Sequence, residues 1–113
     1  MNLNELTKNI KEISKEDVVQ KLADCIQEWK TDEKNVNEFR DSVERYLGDT
    51  RFDKRTDFDE IYRIWTEFRT SAIEGIGGMT MNERLYWFGL FDIFDNARNT
   101  SEQEIFYRKL MTK

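Results

Sequence analysis

Apolar residues recur along the chain at intervals of three and four, the spacing that places side chains on one face of an α-helix. The first apolar stripe covers residues 3–13, and a second follows over residues 18–29. Two further stripes cover residues 36–47 and 58–72, with a polar and charged stretch between them. The pattern therefore predicts four amphipathic helices in the first two thirds of the chain.

The most apolar stretch comes next, and it predicts one central, aromatic-rich helix over about residues 81–98. Thr80 and Glu83 form a capping box at its start, with the hydroxyl at the cap and the carboxylate three residues later. Apolar side chains from 85 to 94 fill a wide arc of the helical wheel, which is typical of a helix packed on most sides. A last helix carries the apolar positions between 105 and 111.

Helix boundaries are predicted from the residue types that cap helices. The expected starts of the other helices are Ser14, Thr31 or Asp32, Thr56, and Thr100 or Ser101. Gly48 stands where a glycine would end the third helix. Because no alternating strand pattern longer than a few residues occurs, we predict an all-α fold. The expected architecture is a single domain, residues 1–113, of about six helices packed around the central helix 81–98.

The composition of this 113-residue chain excludes several classes of chemistry. It contains no histidine and one cysteine, so it offers no imidazole base, no His-ligated metal and no internal disulfide. Three Trp, four Tyr and eight Phe supply core material that the hydrophobic fraction of 38% would otherwise lack. No apolar run approaches the roughly 18 residues that a membrane span needs. No secretory signal is visible either, so we expect a cytoplasmic protein.

Asp92 and Asp95 are the carboxylate pair that most invites a catalytic interpretation. They share a helix face, and paired carboxylates can take different pKa values and act as acid and base. The same arrangement more often accepts hydrogen bonds from arginine or from helix-terminal amides on a neighbouring helix, and Arg63, Arg69 and Arg84 are plausible arginine donors. We favour structural pairing, and we predict a protein that is not an enzyme and needs no cofactor.

Other candidate sites are weaker. Residues 49–60 place acidic side chains at several positions of a calcium loop, but Arg51 and Lys54 stand where an oxygen ligand and a glycine are needed. The glycines at 75–78 lack the Lys and Ser/Thr of a phosphate loop. Cys25 lies at the edge of an apolar face and is predicted to be a buried, inert thiol. We therefore predict no metal site.

The net charge of −5 is unevenly distributed. Residues 1–50 carry 12 acidic and 8 basic side chains, whereas residues 51–113 carry 11 and 10. Solvated surface is the simpler explanation, and a docking face for a basic protein partner is the more specific one. The candidate partner-binding residues, on predicted helices two to four, are Asp24, Glu28, Glu38, Asp41, Glu44, Asp53, Asp57, Asp59 and Glu60. Basic residues are interleaved with acidic ones, so direct binding of nucleic acid is not expected.

One segment carries a resemblance to known proteins. Residues 80–95, TMNERLYWFGLFDIFD, resemble a segment of small bacterial helical proteins. In size, acidity and lack of catalytic residues, the whole chain is similar to the helical immunity proteins of contact-dependent toxin systems. This resemblance implies a non-enzymatic inhibitor that binds a basic toxin domain, often a nuclease, and occludes its substrate site. Antitoxins and phage counter-defence inhibitors share this composition. A structural or self-associating helical module without a toxin partner is the alternative, and the oligomeric state is open.

Overall fold

The computed structural model describes residues 1–111, and these residues form helices and connecting turns without a strand. The seven α-helices are α1 Leu3–Ile13, α2 Asp17–Glu28, α3 Val36–Asp49, α4 Arg55–Phe68, α5 Met81–Trp87, α6 Phe91–Asp95 and α7 Thr100–Lys109. A 3-10 turn, Trp29–Thr31, continues α2, and a π-helical segment, Arg69–Glu74, continues α4. The predicted all-α, single-domain fold is confirmed.

An aromatic cluster forms the centre of the core. The ring of Trp29 stacks on Phe39 with centroids 4.6 Å apart and meets Phe88 edge-on at 5.5 Å. Phe39 contacts Trp65 at 5.8 Å, and Phe68 contacts Phe88 at 5.7 Å. Edge-to-face and offset contacts are the favoured geometries of aromatic pairs, so these contacts stabilise the core. Because the rings come from different elements, the cluster joins α3, α4 and the turn after α2. Around it, α1 packs against α2 and α4.

The structure corrects the prediction of one helix over residues 81–98. This segment forms two short helices, α5 and α6, separated by Gly89 in the left-handed conformation at φ +66°. Phe88 and Leu90, the neighbours of Gly89, are both fully buried. Residues two apart point in nearly opposite directions on a helix, so a continuous helix would bury only one of them. The left-handed turn at Gly89 places both side chains in the core. Because this turn divides the predicted helix in two, residues 1–111 form seven α-helices where about six were expected.

Gly89→Ala is expected to lower the free energy of unfolding by about 2 kcal/mol, because a left-handed non-glycine residue costs about 1–2 kcal/mol by itself. In addition, the new Cβ would lie 2.8 Å from Oδ1 of Asn4. Gly48 provides a matched control. It lies inside α3, contrary to the prediction that it ends this helix, and has no atom within 4 Å of the added Cβ.

Gly48→Ala is therefore expected to stabilise the protein by up to about 1 kcal/mol, the usual gain of alanine over glycine within a helix. Urea denaturation of the two variants measures both effects. Equal changes of the same sign at Gly48 and Gly89 would contradict the left-handed turn.

Side-chain capping defines four of the helix starts. The predicted capping box at Thr80 and Glu83 is confirmed, with Glu83 N donating to Thr80 Oγ1 at 3.1 Å. Asparagine caps the other three, at Asn2, Asn35 and Asn99. The last helix begins at the predicted Thr100, although Asn99 supplies its cap. The remaining predicted starts are displaced by one to a few residues: Ser14, Thr31 or Asp32, and Thr56. The helices α2 and α4 begin after Glu16 and Lys54, without a side-chain cap.

Candidate functional site

The acidic surplus is concentrated where α2 ends, the chain turns and α3 begins. Residues 24–44 contain seven acidic and three basic side chains, in a chain whose net charge is −5. Two cavities beside α3 open on this segment and share Asp32 in their linings, and a third groove, between this segment and α6–α7, also includes Asp32. Asp41 of α3 lies one helical turn after Glu38, which lines one of these cavities, and it continues the acidic surface. We define the acidic strip as Glu28, Asp32, Glu33, Glu38 and Asp41.

The larger cavity is a cleft of about 490 Å³ between the acidic strip and α7. Its strip side presents Glu33 and Glu38, and its α7 side presents Ile105 and Arg108. Half of Ile105 is exposed, at 49%. The capping box of α3 positions the Glu38 carboxylate, which accepts a hydrogen bond from Asn35 N at 3.1 Å. The α7 side thus presents one apolar and one cationic side chain. A basic side chain fits this cleft when its aliphatic stem packs on Ile105 and its charge lies against Glu33 and Glu38.

The buried end of this cleft is closed by Lys109, which is only 4% exposed. Its Nζ donates to the backbone oxygen of Asp32 at 2.7 Å, to Asp32 Oδ1 at 3.1 Å and to the backbone oxygen of Lys34 at 2.9 Å. The same Nζ lies 4.4 Å from the ring centroid of Trp29. Burial lowers the pKa of Lys109, while the Asp32 carboxylate acts in the opposite direction. The charge of Asp32 is thus matched within the fold, and Glu28, Glu33 and Glu38 remain at the surface.

Of the nine residues predicted to bind a partner, the acidic strip brings together Glu28, Glu38 and Asp41. Asp41 forms an ion pair with Arg40 at 3.1 Å. Asp24 lies one turn before Glu28 on α2, where it pairs with Lys11 of α1 at 3.5 Å. These ion pairs are solvent-exposed, so they leave the carboxylates accessible to a partner.

Glu44 is engaged inside the fold. Its Oε2 accepts hydrogen bonds from Trp65 Nε1 at 3.3 Å and from Arg69 Nη1 at 2.6 Å. The Glu44 carboxylate raises the pKa of the Arg69 guanidinium. These contacts join α3 to α4 and to the π-helical segment, so the structure gives Glu44 a packing role.

The four remaining predicted residues lie on or before α4: Asp53, Asp57, Asp59 and Glu60. Arg55 pairs with Asp59 at 3.4 Å, and Arg63 pairs with Glu60 along the exposed face of α4. The Arg63 guanidinium holds the pKa of Glu60 below its usual range. Asp53 N donates to the Glu16 carboxylate at 3.1 Å. Two of these four carboxylates, Asp59 and Glu60, are thus paired with arginines of α4. Among the residues that the structure describes, the glutamates of the acidic strip form no such ion pair.

Two members of the acidic strip, Asp32 and Glu33, were not predicted as binding residues. The segment around them was interpreted as the start of the third helix, whereas it forms the turn before α3. The density of acidic residues over 24–44 is the sequence signal that identifies them.

Cys25 lies beside the acidic strip and is exposed, which corrects the prediction of a buried thiol. It lines a cavity of about 150 Å³ together with Glu28. Partial burial of the sulfur is the main cause that raises the pKa of the Cys25 thiol, and the negative charges of Glu28 and Asp24 raise it further. A raised pKa keeps the thiol protonated near neutral pH and makes it a weak nucleophile.

The carboxylates of Asp92 and Asp95 are exposed on α6, and neither residue lines the cleft beside α7, the cavity beside Cys25 or the groove between residues 30–32 and α6–α7. The three arginines predicted as their partners bind elsewhere. Arg63 pairs with Glu60, and Arg69 pairs with Glu44. Arg84 is buried and donates to backbone oxygens of Met79 and Leu110. The predicted structural pairing of Asp92 and Asp95 with these arginines is therefore wrong.

No family model, curated protein or solved structure matches the chain. Within residues 1–111, no group of three or more His, Cys, Asp or Glu side chains is arranged to hold a metal ion. None of the helices described combines the length and apolar character that a membrane crossing requires. The function is therefore inferred from the acidic strip and the cleft beside it.

Proposed function

We propose that this protein is a non-enzymatic binding protein that docks a basic protein partner on its acidic strip and thereby inhibits that partner. The observation that carries the proposal is the cleft in which Glu33 and Glu38 face the exposed Ile105. A lysine or arginine of the partner would place its charge against the carboxylates and its methylene groups against Ile105.

The inhibited partner is a nuclease-type toxin in the most specific form of the proposal. A nuclease attracts the phosphate backbone with clustered basic side chains, and these side chains supply most of its affinity for nucleic acid. An acidic surface presents the same sign of charge as phosphate. Docking of the acidic strip on such a site would accelerate association and occlude the substrate.

Charge reversal on the acidic strip tests this function. The tagged wild-type protein is incubated with extract of its native host at low salt, and captured proteins are identified and purified. The variant Glu28→Lys/Glu33→Lys is then compared with the control Asp59→Lys/Glu67→Lys, which changes the net charge equally on exposed positions of α4. We expect the strip variant to lose at least about tenfold in affinity for the partner, with the association rate falling most.

The control variant should stay within about twofold of the wild type, since it leaves the complementary surface intact. Raising the salt concentration should weaken wild-type binding, because screening shortens the range of the attraction. The proposal fails if no partner is captured, if the partner is acidic, or if both variants bind equally well.

A further inference from the structure

A second surface, made by α6 and α7, has a different character from the acidic strip. A groove of about 400 Å³ is lined by the apolar side chains of Ile93, Ala97, Ile105 and Phe106. Ile105 is 49% exposed and stands at the edge of this groove, between it and the acidic cleft. The exposed half of Ile105 extends the apolar surface of this groove, and covering that surface with a partner would be favourable.

The charges around the groove indicate what kind of occupant it fits. Lys30 and Lys109 contribute two positive charges to its lining, and Asp32 and Glu102 contribute two negative charges. The formal charge of the lining is therefore zero. Electrostatic complementarity favours an occupant that is apolar and carries both signs of charge, rather than the uniformly basic surface that suits the acidic strip.

The helix α7 itself has this mixed character. Its exposed side chains include Glu102 and Glu104 in the first half, Ile105 near the middle and Arg108 near the end. In an antiparallel pair of identical helices, the first half of each lies against the second half of the other. Glu102, Ile105 and Arg108 are spaced by three residues and share one face of α7. Glu102 of one copy would then face Arg108 of the second copy, with both Ile105 side chains close to the two-fold axis.

We propose that two copies of this chain associate through α7, antiparallel about a two-fold axis, with Ile105 of each copy inserted in the apolar groove of the other. The contact is isologous, so each change on one copy is repeated on the other. A helix of 10 residues is only about 15 Å long, so the interface is small and association is expected to be reversible and concentration-dependent.

Sedimentation velocity of the purified protein over a range of concentrations tests the proposal. We expect a monomer–dimer equilibrium in the wild type. Ile105→Glu should weaken dimerisation at least about tenfold, because it removes the central apolar side chain twice and places two carboxylates near the axis. Tyr62→Glu is the matched control, since Tyr62 is 46% exposed on α4 and lies outside the proposed interface.

A charge exchange tests the orientation of the two helices. Arg108→Glu should weaken the dimer, because it sets a carboxylate against Glu102 of the second copy. Adding Glu102→Arg to Arg108→Glu should restore dimerisation, since complementary charges then face each other again. Glu102→Arg removes the hydrogen bond from Arg98 N to the Glu102 carboxylate, but it keeps the Asn99 cap, which bonds the backbone N of residue 102. Both positions are exposed, so circular dichroism should show an unchanged helical fold in each variant.

A wild type that remains monomeric at about 1 mM would overturn the proposal. A dimer that Ile105→Glu leaves intact, or equal weakening by Ile105→Glu and Tyr62→Glu, would also overturn it. So would failure of the charge exchange to restore a dimer that Arg108→Glu disrupts. The measurement uses the protein alone and reads its mass. Ile105 also lines the acidic cleft, so the dimer would cover part of the surface proposed for the basic partner. The mass of the purified protein is read without that partner, so failure of one proposal is distinguishable from failure of the other.

Discussion

Trp29→Ala is expected to lower the free energy of unfolding by about 3–5 kcal/mol, the range measured when large aromatic side chains are removed from protein cores. Trp29 is 1% exposed and contacts both Phe39 and Phe88. Its Nε1 donates to the backbone oxygen of Lys34 at 2.8 Å. Alanine would leave a cavity at the centre of the aromatic cluster and would also remove the surface beneath the Lys109 ammonium. Urea denaturation followed by circular dichroism measures the loss.

Two further variants separate the contributions of Trp29. Trp29→Phe keeps an aromatic ring but loses the Nε1 hydrogen bond, so it should cost about 1–2 kcal/mol plus a smaller packing loss. Trp87→Ala is the matched control, because Trp87 is only partly buried at the edge of the core. A cost at Trp29 no larger than the cost at Trp87 would contradict the central position of Trp29 in the fold.

Lys109→Met is expected to lower the free energy of unfolding by about 2–3 kcal/mol, below the full cost of breaking a buried ion pair. Methionine fills the space of the lysine stem, so the loss reports mainly on the ammonium. Without it, Asp32 Oδ1 and the backbone oxygen of Asp32 lose their hydrogen bonds to α7. The value stays below the full cost because the Asp32 side chain is 37% exposed and water can reach it.

Thermal denaturation measures this loss, since about 1 kcal/mol corresponds to a shift of roughly 4 °C in a domain of this size. Arg108→Met is the matched control on the adjacent residue. Arg108 is exposed, and a surface substitution of this kind should change the free energy of unfolding by no more than about 0.5 kcal/mol. Similar melting temperatures for the Lys109 and Arg108 variants would rule out a stabilising role for the buried ammonium.

The helical fold could be predicted from the sequence because the stripes of apolar residues reflect local geometry. The boundaries depend on more than local geometry. Thr31 and Asp32 have the right side chains for a helix cap, but the chain continues α2 with a 3-10 turn at this point. That turn places Trp29 in the core. It also allows Asn35 to be the N-cap of α3, where it forms a capping box. Several residues can cap a helix, and tertiary packing decides which one does.

The break in the predicted central helix has a similar origin. The many apolar residues between 85 and 94 predict one buried helix, but their number does not show where the chain changes direction. The informative signal is Gly89 between two large apolar residues, Phe88 and Leu90. Glycine reaches the left-handed conformation without a steric cost, so it permits a reversal that no other residue in this stretch would permit as readily.

The candidate site was predicted in part. The concentration of negative charge in the first half of the chain is a property of composition, and it led to Glu28, Glu38 and Asp41. The contacts of Glu44 could not be predicted from composition. Its partners Trp65 and Arg69 are 21 and 25 residues away in the sequence, so their contact with Glu44 follows only from the packing of α3 on α4.

The contact between Lys109 and Asp32 joins residues separated by 77 positions, whereas α1 and α2 are neighbours in the sequence. Closing a long chain segment costs more entropy than joining adjacent helices, so α7 is expected to dock late during folding. The same helix is then the first to detach in native-state fluctuations. Its amide protons should exchange with solvent by local opening, while those of α1 and α2 wait for global unfolding.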